Sequence, residues 1–123
     1  MILSVFAPRN AGEFARILRP EGRVVVVIPT ERHLAELREV APLLAIERGK
    51  RRLVEESLEG FSLRWSEKVM VPLELGGAAI QDLIEMTPNA WYLTEEQKRR
   101  LAGVERISVT AEFEALLFAF VGF

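Results

Sequence analysis

A chain of 123 residues, half of them apolar and 28% charged, has the length and balance of one ordinary globular domain, which excludes a disordered or fibrous polymer. The longest uncharged apolar runs, Val24 to Ile28 and Ala115 to Phe123, fall far short of the about 20 residues that a membrane-spanning helix needs. With no cysteine and a single His33, disulfides, thiolate metal sites and a histidine zinc cluster are excluded, and a net charge of -2 with a pI near 5.5 gives no global attraction to nucleic acid.

The start, Met1 to Phe6, has no basic flank and no small-residue cleavage site, so no signal peptide is read and a cytoplasmic location is expected. Residues 2–6 are apolar and partly β-branched, which predicts a strand. Pro8 interrupts it, and Asn10 with Glu13 three residues later has the spacing of a capping box that starts a helix. Phe14, Ile17 and Leu18 give that helix one apolar face, until Arg19-Pro20-Glu21-Gly22 forces a turn. A second strand is predicted over 23–28, where Val24 to Ile28 form a continuous β-branched run of the kind covered on both faces in a parallel sheet. Pro29-Thr30 is read as the cap of the next helix, with Leu34, Leu37 and Val40 on its apolar side before Pro42. The run Glu47 to Arg52 is locally basic and is read as a solvated helix start.

Over 61–75 the period becomes two: Phe61, Leu63, Trp65, Val69, Val71, Leu73 and Leu75 all fall on odd positions, as in a strand. Gly76-Gly77 ends it. Ile80, Leu83 and Ile84 then mark a helix that stops at Thr87-Pro88. Thr94 and Gln97 have capping-box spacing, Leu101 anchors the short helix that follows, and Gly103 is positioned as its left-handed stop. A last strand is predicted over 105–121, antiparallel to a neighbour, with Ile107, Val109, Ala111 and Phe113 alternating with Ser108, Thr110, Glu112 and Glu114. The order of elements predicts a single α/β domain over residues 1–123.

Several of these segments together resemble a family. Phe6-Ala7-Pro8, the helix Glu13 to Leu18 with Arg19-Pro20-Glu21-Gly22, Pro29, His33-Leu34, Glu36-Leu37, Gly60-Phe61, Leu63, Ser66, Met86-Thr87-Pro88 and Ala90-Trp91 occur in the order seen in the C-terminal half of bacterial large-subunit ribosomal RNA (guanine-N1-)-methyltransferases. Those are S-adenosylmethionine-dependent enzymes with a Rossmann-like fold. The resemblance implies half of a Rossmann-like methyltransferase sheet with flanking helices, from a class whose strand order is 3-2-1-4-5-7-6. The family also carries a cysteine-rich zinc module and a glycine-rich cofactor loop, and neither a cysteine nor a G-x-G pattern occurs here. The expectation is therefore a truncated or split enzyme, inactive by itself, with S-adenosylmethionine bound only when a missing N-terminal half complements it. Glu21 stands where the family usually has Gly, which is accommodated if Gly22 takes the φ > 0 position.

By the same resemblance, Phe6, Ala7 and Pro8 are the candidate cofactor-side residues, since open α/β sheets bind ligands at the C-terminal ends of their strands. Read without it, Pro8 only ends a strand and begins a helix. The candidate RNA-facing residues are Pro29, Thr30, His33, Met86, Thr87, Pro88, Trp91 and Tyr92. Trp91 and Tyr92 are read as stacking walls for an extruded base, worth roughly 1 to 3 kcal/mol per base, and Trp91 has a second reading as a plug between two helices with its N–H bonded to a carbonyl. No catalytic acid or base and no metal ligand is assigned, and His33 is not read as a base. Expected partners are a second copy, a separately encoded N-terminal methyltransferase half, and ribosomal RNA. The alternative is a noncatalytic dimerising or partner-binding module derived from a methyltransferase.

Overall fold

The structure is a computed structural model that describes residues 1–40, 49–86 and 93–123. Among these the elements are β1 (Ile2–Val5), α1 (Ala11–Ile17), β2 (Arg23–Pro29), α2 (Ala35–Val40), α3 (Lys50–Ser57), β3 (Phe61–Gly76), α4 (Gly77–Glu85), α5 (Glu95–Ala102) and β4 (Arg106–Phe120). The strands form a mixed sheet in the order β1-β2-β4-β3, with β1 parallel to β2 and β2 antiparallel to β4. The α/β class and the antiparallel last strand agree with the sequence pattern, and every strand end lies within one residue of its predicted position. Two compact units divide the chain: Met1–Thr30, Glu47–Val69 and Phe113–Phe123 make one, and Glu31–Ile46 with Met70–Glu112 make the other.

The first unit is built on β2. Val24, Val26 and Ile28 point to one side and are buried with Val54, Leu58, Leu116 and Phe118, while Ala11, Phe14, Leu18 and Phe61 close over them. Val25 and Val27 on the other face are only half-buried, so the described helices cover β2 on one face and not on both. At α1, Asn10 Oδ1 accepts the Glu13 N–H at 3.1 Å. The Glu13 carboxylate instead takes the Arg16 guanidinium, one turn on, so this end is capped by Asn10 alone. The following turn closes through Gly22 N–H to the Arg19 carbonyl at 2.8 Å. Gly22 is not in the left-handed region, which among the described glycines holds Gly49, Gly60 and Gly122. It is needed for space: a Cβ there would lie 2.5 Å from Leu18 Cδ1 and 2.9 Å from the Arg19 carbonyl.

The second unit is mostly helical. Leu34 and Leu37 pack with Ile80 and Ile84 of α4, Leu101 of α5 and Val109 of β4. The Thr94 capping box forms in full, with Thr94 Oγ1 accepting the Gln97 N–H at 3.1 Å and Gln97 Oε1 accepting the Thr94 N–H at 3.0 Å. Two local expectations are corrected. Thr30 does not cap α2, which begins five residues later. Residues 31–34 turn first, Leu34 adopts φ 54°, and its N–H donates to the Thr110 carbonyl at 2.9 Å, pinning the chain to β4 before the helix can start. Gly103 ends α5 in right-handed helical geometry, φ -78°, with its N–H on the Arg99 carbonyl at 3.0 Å, so no left-handed residue is needed there.

The long β4 buries different parities along its length. Val109 is buried on an odd position in the second unit, whereas Glu112, Glu114, Leu116 and Phe118 are buried on even ones. Strict alternation therefore misplaces the two glutamates, which are enclosed rather than solvated. In β3, Phe61 and Leu63 join the first core and Leu75 the second, but Trp65, Val71 and Leu73 stay exposed because β3 is the outer strand of the sheet.

Candidate functional site

Parallel pairing of β1 and β2, with Val5 opposite Val27, brings their C-terminal ends together, and this is where two of the candidate groups meet. Phe6 leaves β1 with φ 49°, a conformation unusual for an aromatic residue. Its N–H still donates to the Val27 carbonyl at 3.0 Å, so the turn is tied to β2 while the ring stays about half exposed. The Ala7 carbonyl accepts from Arg9 Nη1 at 3.2 Å, and Arg9 Nε reaches Ser57 Oγ at 3.2 Å, fixing the Phe6-Ala7-Pro8 turn against the end of α3. Pro29 and Thr30 end β2 at the same sheet edge. Phe6, Ala7, Pro8, Pro29 and Thr30 thus form one rim in the first unit.

His33 and Met86 belong to the second unit. Neutral His33 uses Nδ1 to accept the Glu112 N–H at 3.1 Å, which leaves its proton on Nε2. Burial, with a further contribution from the nearby Arg38 charge, holds its pKa below the usual histidine value against the opposing pull of Glu112. A ring whose Nδ1 is occupied by the backbone is a brace between the turn at 31–34 and β4. Met86 caps the C-terminus of α4 and is 81% exposed. Thr87, Pro88, Trp91 and Tyr92 lie outside the described residues. On either side of that segment, Ile84 and Leu93 line a groove of about 480 Å³ between α4 and α5, with Leu101 and Val104 as apolar floor and Gln81 and Lys98 as its polar groups.

Sequence reasoning missed several polar groups of interest. Glu114 is buried and meets Arg51 at 3.2 Å, so part of the basic run at the start of α3 is spent on an internal charge rather than left for phosphate. Arg52 likewise pairs with Glu56 at 2.9 Å. Ser4 sits on the buried face of β1, opposite Val26, and its Oγ has no hydrogen-bond partner among the described residues. The parity change in β4 is the signal that would have found the glutamates, and it is visible only once both cores are known. Among the described residues no group of three or more His, Asp or Glu side chains is placed to hold a metal ion, and no helix is long and apolar enough to cross a membrane.

No protein-family model matches the chain. Individual proteins do. It is 36% identical over 118 residues to the 23S rRNA (guanine(748)-N(1))-methyltransferase of Streptomyces fradiae, a match covering 92% of this chain and 42% of that protein. A protein of Micromonospora griseorubida, provisionally named a 23S rRNA (guanine-N(1)-)-methyltransferase, is 36% identical over 114 residues, covering 90% of this chain and 39% of its own length. A third, of the same provisional name from Bacillus subtilis (strain 168), is 28% identical over 122 residues, covering 95% of this chain and 42% of itself. This chain matches part of a 23S rRNA guanine-N1-methyltransferase. It spans about 40% of the length of each of these relatives. The match takes in nearly the whole chain, so both compact units contribute to it. A four-stranded mixed open sheet flanked by helices fits a partial methyltransferase fold.

Proposed function

We propose that this chain is the C-terminal, substrate-facing portion of an S-adenosylmethionine-dependent methyltransferase that acts on guanine N1 of 23S rRNA, and that it works only together with a cofactor-binding portion. The observation that carries this is the sheet. Its order β1-β2-β4-β3, with β1 and β2 parallel and β4 antiparallel to β2, is the order expected of a chain that supplies the last four strands, 4-5-7-6, of the 3-2-1-4-5-7-6 order, and this supports the reading. In that correspondence the free edge of β1 is where the first strand of the cofactor-binding portion pairs.

The residues present fit only part of a cofactor site. The left-handed glycines of the described chain lie outside the turns that follow β1 and β2, and the Phe6-Ala7-Pro8 turn contains no carboxylate to hold a ribose. S-adenosylmethionine, when bound, supplies an electrophilic methyl group. The role of this chain is positional: the rim of Phe6, Ala7 and Pro8, braced by Arg9 and by the Val27 carbonyl, walls the reacting end of the site, and Pro29 and Thr30 extend the wall towards the base. Transfer to a ring nitrogen depends chiefly on holding that nitrogen in line with the methyl group, so rigid backbone walls contribute without an acid or base of their own. Met86, exposed at the end of α4, and Trp91 and Tyr92, by their positions in the sequence, are the residues assigned to RNA contact.

The test is reconstitution. The chain is mixed with the unmatched portion of the Streptomyces fradiae relative, and methyl incorporation into 23S rRNA is followed with labelled S-adenosylmethionine. Incorporation by the mixture and by neither part alone is expected. A mixture that stays inert while the full-length relative methylates the same RNA overturns the reading.

A further inference from the structure

Glu114 is a buried acid on the face of β4 that otherwise carries Leu116 and Phe118. It stands opposite Ile28 in the register of β2 and β4, with Phe113 opposite Pro29, so it lies one residue from the C-terminal end of β2. The Phe6 N–H meets the carbonyl of Val27, the residue before Ile28, so the turn that leaves β1 reaches the same sheet edge. Two strand spacings of about 4.8 Å put the Glu114 backbone roughly 10 Å across the sheet from that turn. The carboxylate is held but not enclosed on every side. Its Oε1 lies 3.2 Å from Arg51 Nη1, which fixes it against the first turn of α3. Its Oε2 has no hydrogen-bond donor among the described residues, yet is not one of the buried polar atoms sealed without a partner, so it keeps access to solvent. Burying a carboxylate is costly unless it is fully paired, and this one keeps an oxygen free. A fixed acceptor with one open oxygen, at the strand ends where open α/β sheets bind ligands, has the geometry of a proton acceptor.

We propose that Glu114 is the carboxylate that receives the guanine N1 proton during methyl transfer, with Arg51 as its positioning residue. The assignment rests on the methyltransferase reading above, and it adds to the backbone walls a group that acts on the base itself. Guanine N1 carries a hydrogen and shares its lone pair with the neighbouring carbonyl, so it is a poor nucleophile until that proton leaves. The open Oε2 is the acceptor for it. As N1 gives its proton to Glu114, the electron pair left on N1 forms the bond to the methyl carbon. Sulfur keeps the electron pair of the bond that breaks, which cancels its positive charge, and the proton passes from the Glu114 carboxyl to water. The Phe6-Ala7-Pro8 turn on one side and Glu114 on the other, in the same compact unit, then hold the two ends of one reaction line.

The experiment joins this chain to the unmatched portion of the Streptomyces fradiae relative in one polypeptide and follows methyl incorporation into 23S rRNA by the wild-type fusion, Glu114→Gln and Arg51→Gln. Glutamine keeps the size of the side chain and an acceptor oxygen for Arg51, but it takes up no proton. Glu114→Gln is expected to lower kcat about 100-fold or more, the usual scale of a lost general base, while KM for the RNA stays within about threefold. Arg51→Gln leaves the carboxylate in place and is expected to lower kcat less. Melting of this chain by itself separates chemistry from folding, and Glu114→Gln is expected to melt close to the wild type. Turnover by Glu114→Gln at the wild-type rate overturns the proposal and leaves the methyltransferase reading standing. Equal losses of kcat and of melting temperature in the two variants also overturn it, because they make the pair a strut between α3 and β4. A wild-type fusion that transfers no methyl group, while the full-length relative methylates the same RNA, sinks the methyltransferase reading and this assignment with it.

Discussion

The two compact units reach their stability by different routes. The first assembles residues from three distant stretches of chain, and its core is a stack of strand side chains, Val24, Val26, Leu116 and Phe118, under α1 and α3. The second is dominated by short helices whose individual anchors, Leu37, Ile80, Ile84 and Leu101, meet in a smaller cluster. Helices of six to nine residues are marginal by themselves. Their ends therefore matter as much as their packing, whereas in the first unit the sheet register decides everything. Fold information is thus long-range in one unit and largely local in the other.

Truncating the first core tests that contrast most severely. Phe118→Ala removes the largest fully buried side chain among the described residues from the first unit's core and is expected to cost roughly 3 to 5 kcal/mol in chemical denaturation. A cost under about 1 kcal/mol would mean that the stack is not the first unit's core.

The same contrast explains what could be read from the sequence. Val24 to Ile28 could be read as a strand because β-branched continuity has few other meanings, and Thr94 with Gln97 because a capping box is complete within four residues. The start of α2 is not legible at Thr30, since the hydrogen bond that delays it runs from the Leu34 N–H to the carbonyl of Thr110, far away in sequence. The end of α5 is not legible at Gly103, because glycine permits a left-handed stop without requiring one. Glu112 and Glu114 were hidden because alternation gives two faces and does not say which is inside, and β4 changes its answer along its length. In the candidate site, Phe6-Ala7-Pro8 and Pro29-Thr30 could be placed on one edge from strand order alone. The Arg9 brace and the enclosed Ser4 hydroxyl depend on tertiary neighbours that no local pattern encodes.

A smaller effect probes the local side of the comparison. Thr94→Ala leaves the Gln97 N–H without its side-chain acceptor at the start of α5 and is expected to destabilise the second unit by about 1 kcal/mol, read by thermal or chemical denaturation. Thr94→Ser keeps the hydroxyl and should restore most of the loss. If serine restores nothing, the loss arises from packing of the methyl group and the cap is not what holds α5.

The smallest expected effect concerns His33, the one histidine, and it ties a local turn to a distant strand. Its Nδ1 accepts the Glu112 N–H, which only an unprotonated nitrogen can do, and burial together with the Arg38 charge pushes its pKa below the ordinary value of 6.5 while Glu112 partly opposes them. With the folded pKa depressed, the unfolded chain binds the proton more readily. The stabilisation from neutral His33 is therefore fully present above about pH 6.5 and is lost as pH falls through the folded pKa. Stability of the wild type compared with His33→Gln across this range should show the wild-type advantage shrinking on acidification, since glutamine has no proton to gain. Nitrogen NMR of the ring gives an independent reading: the proton is expected on Nε2, with titration below 6.5. A proton on Nδ1, or a midpoint at or above 6.5, removes the brace from the turn at 31–34, and that turn would then depend on the Leu34 to Thr110 hydrogen bond for its hold on β4.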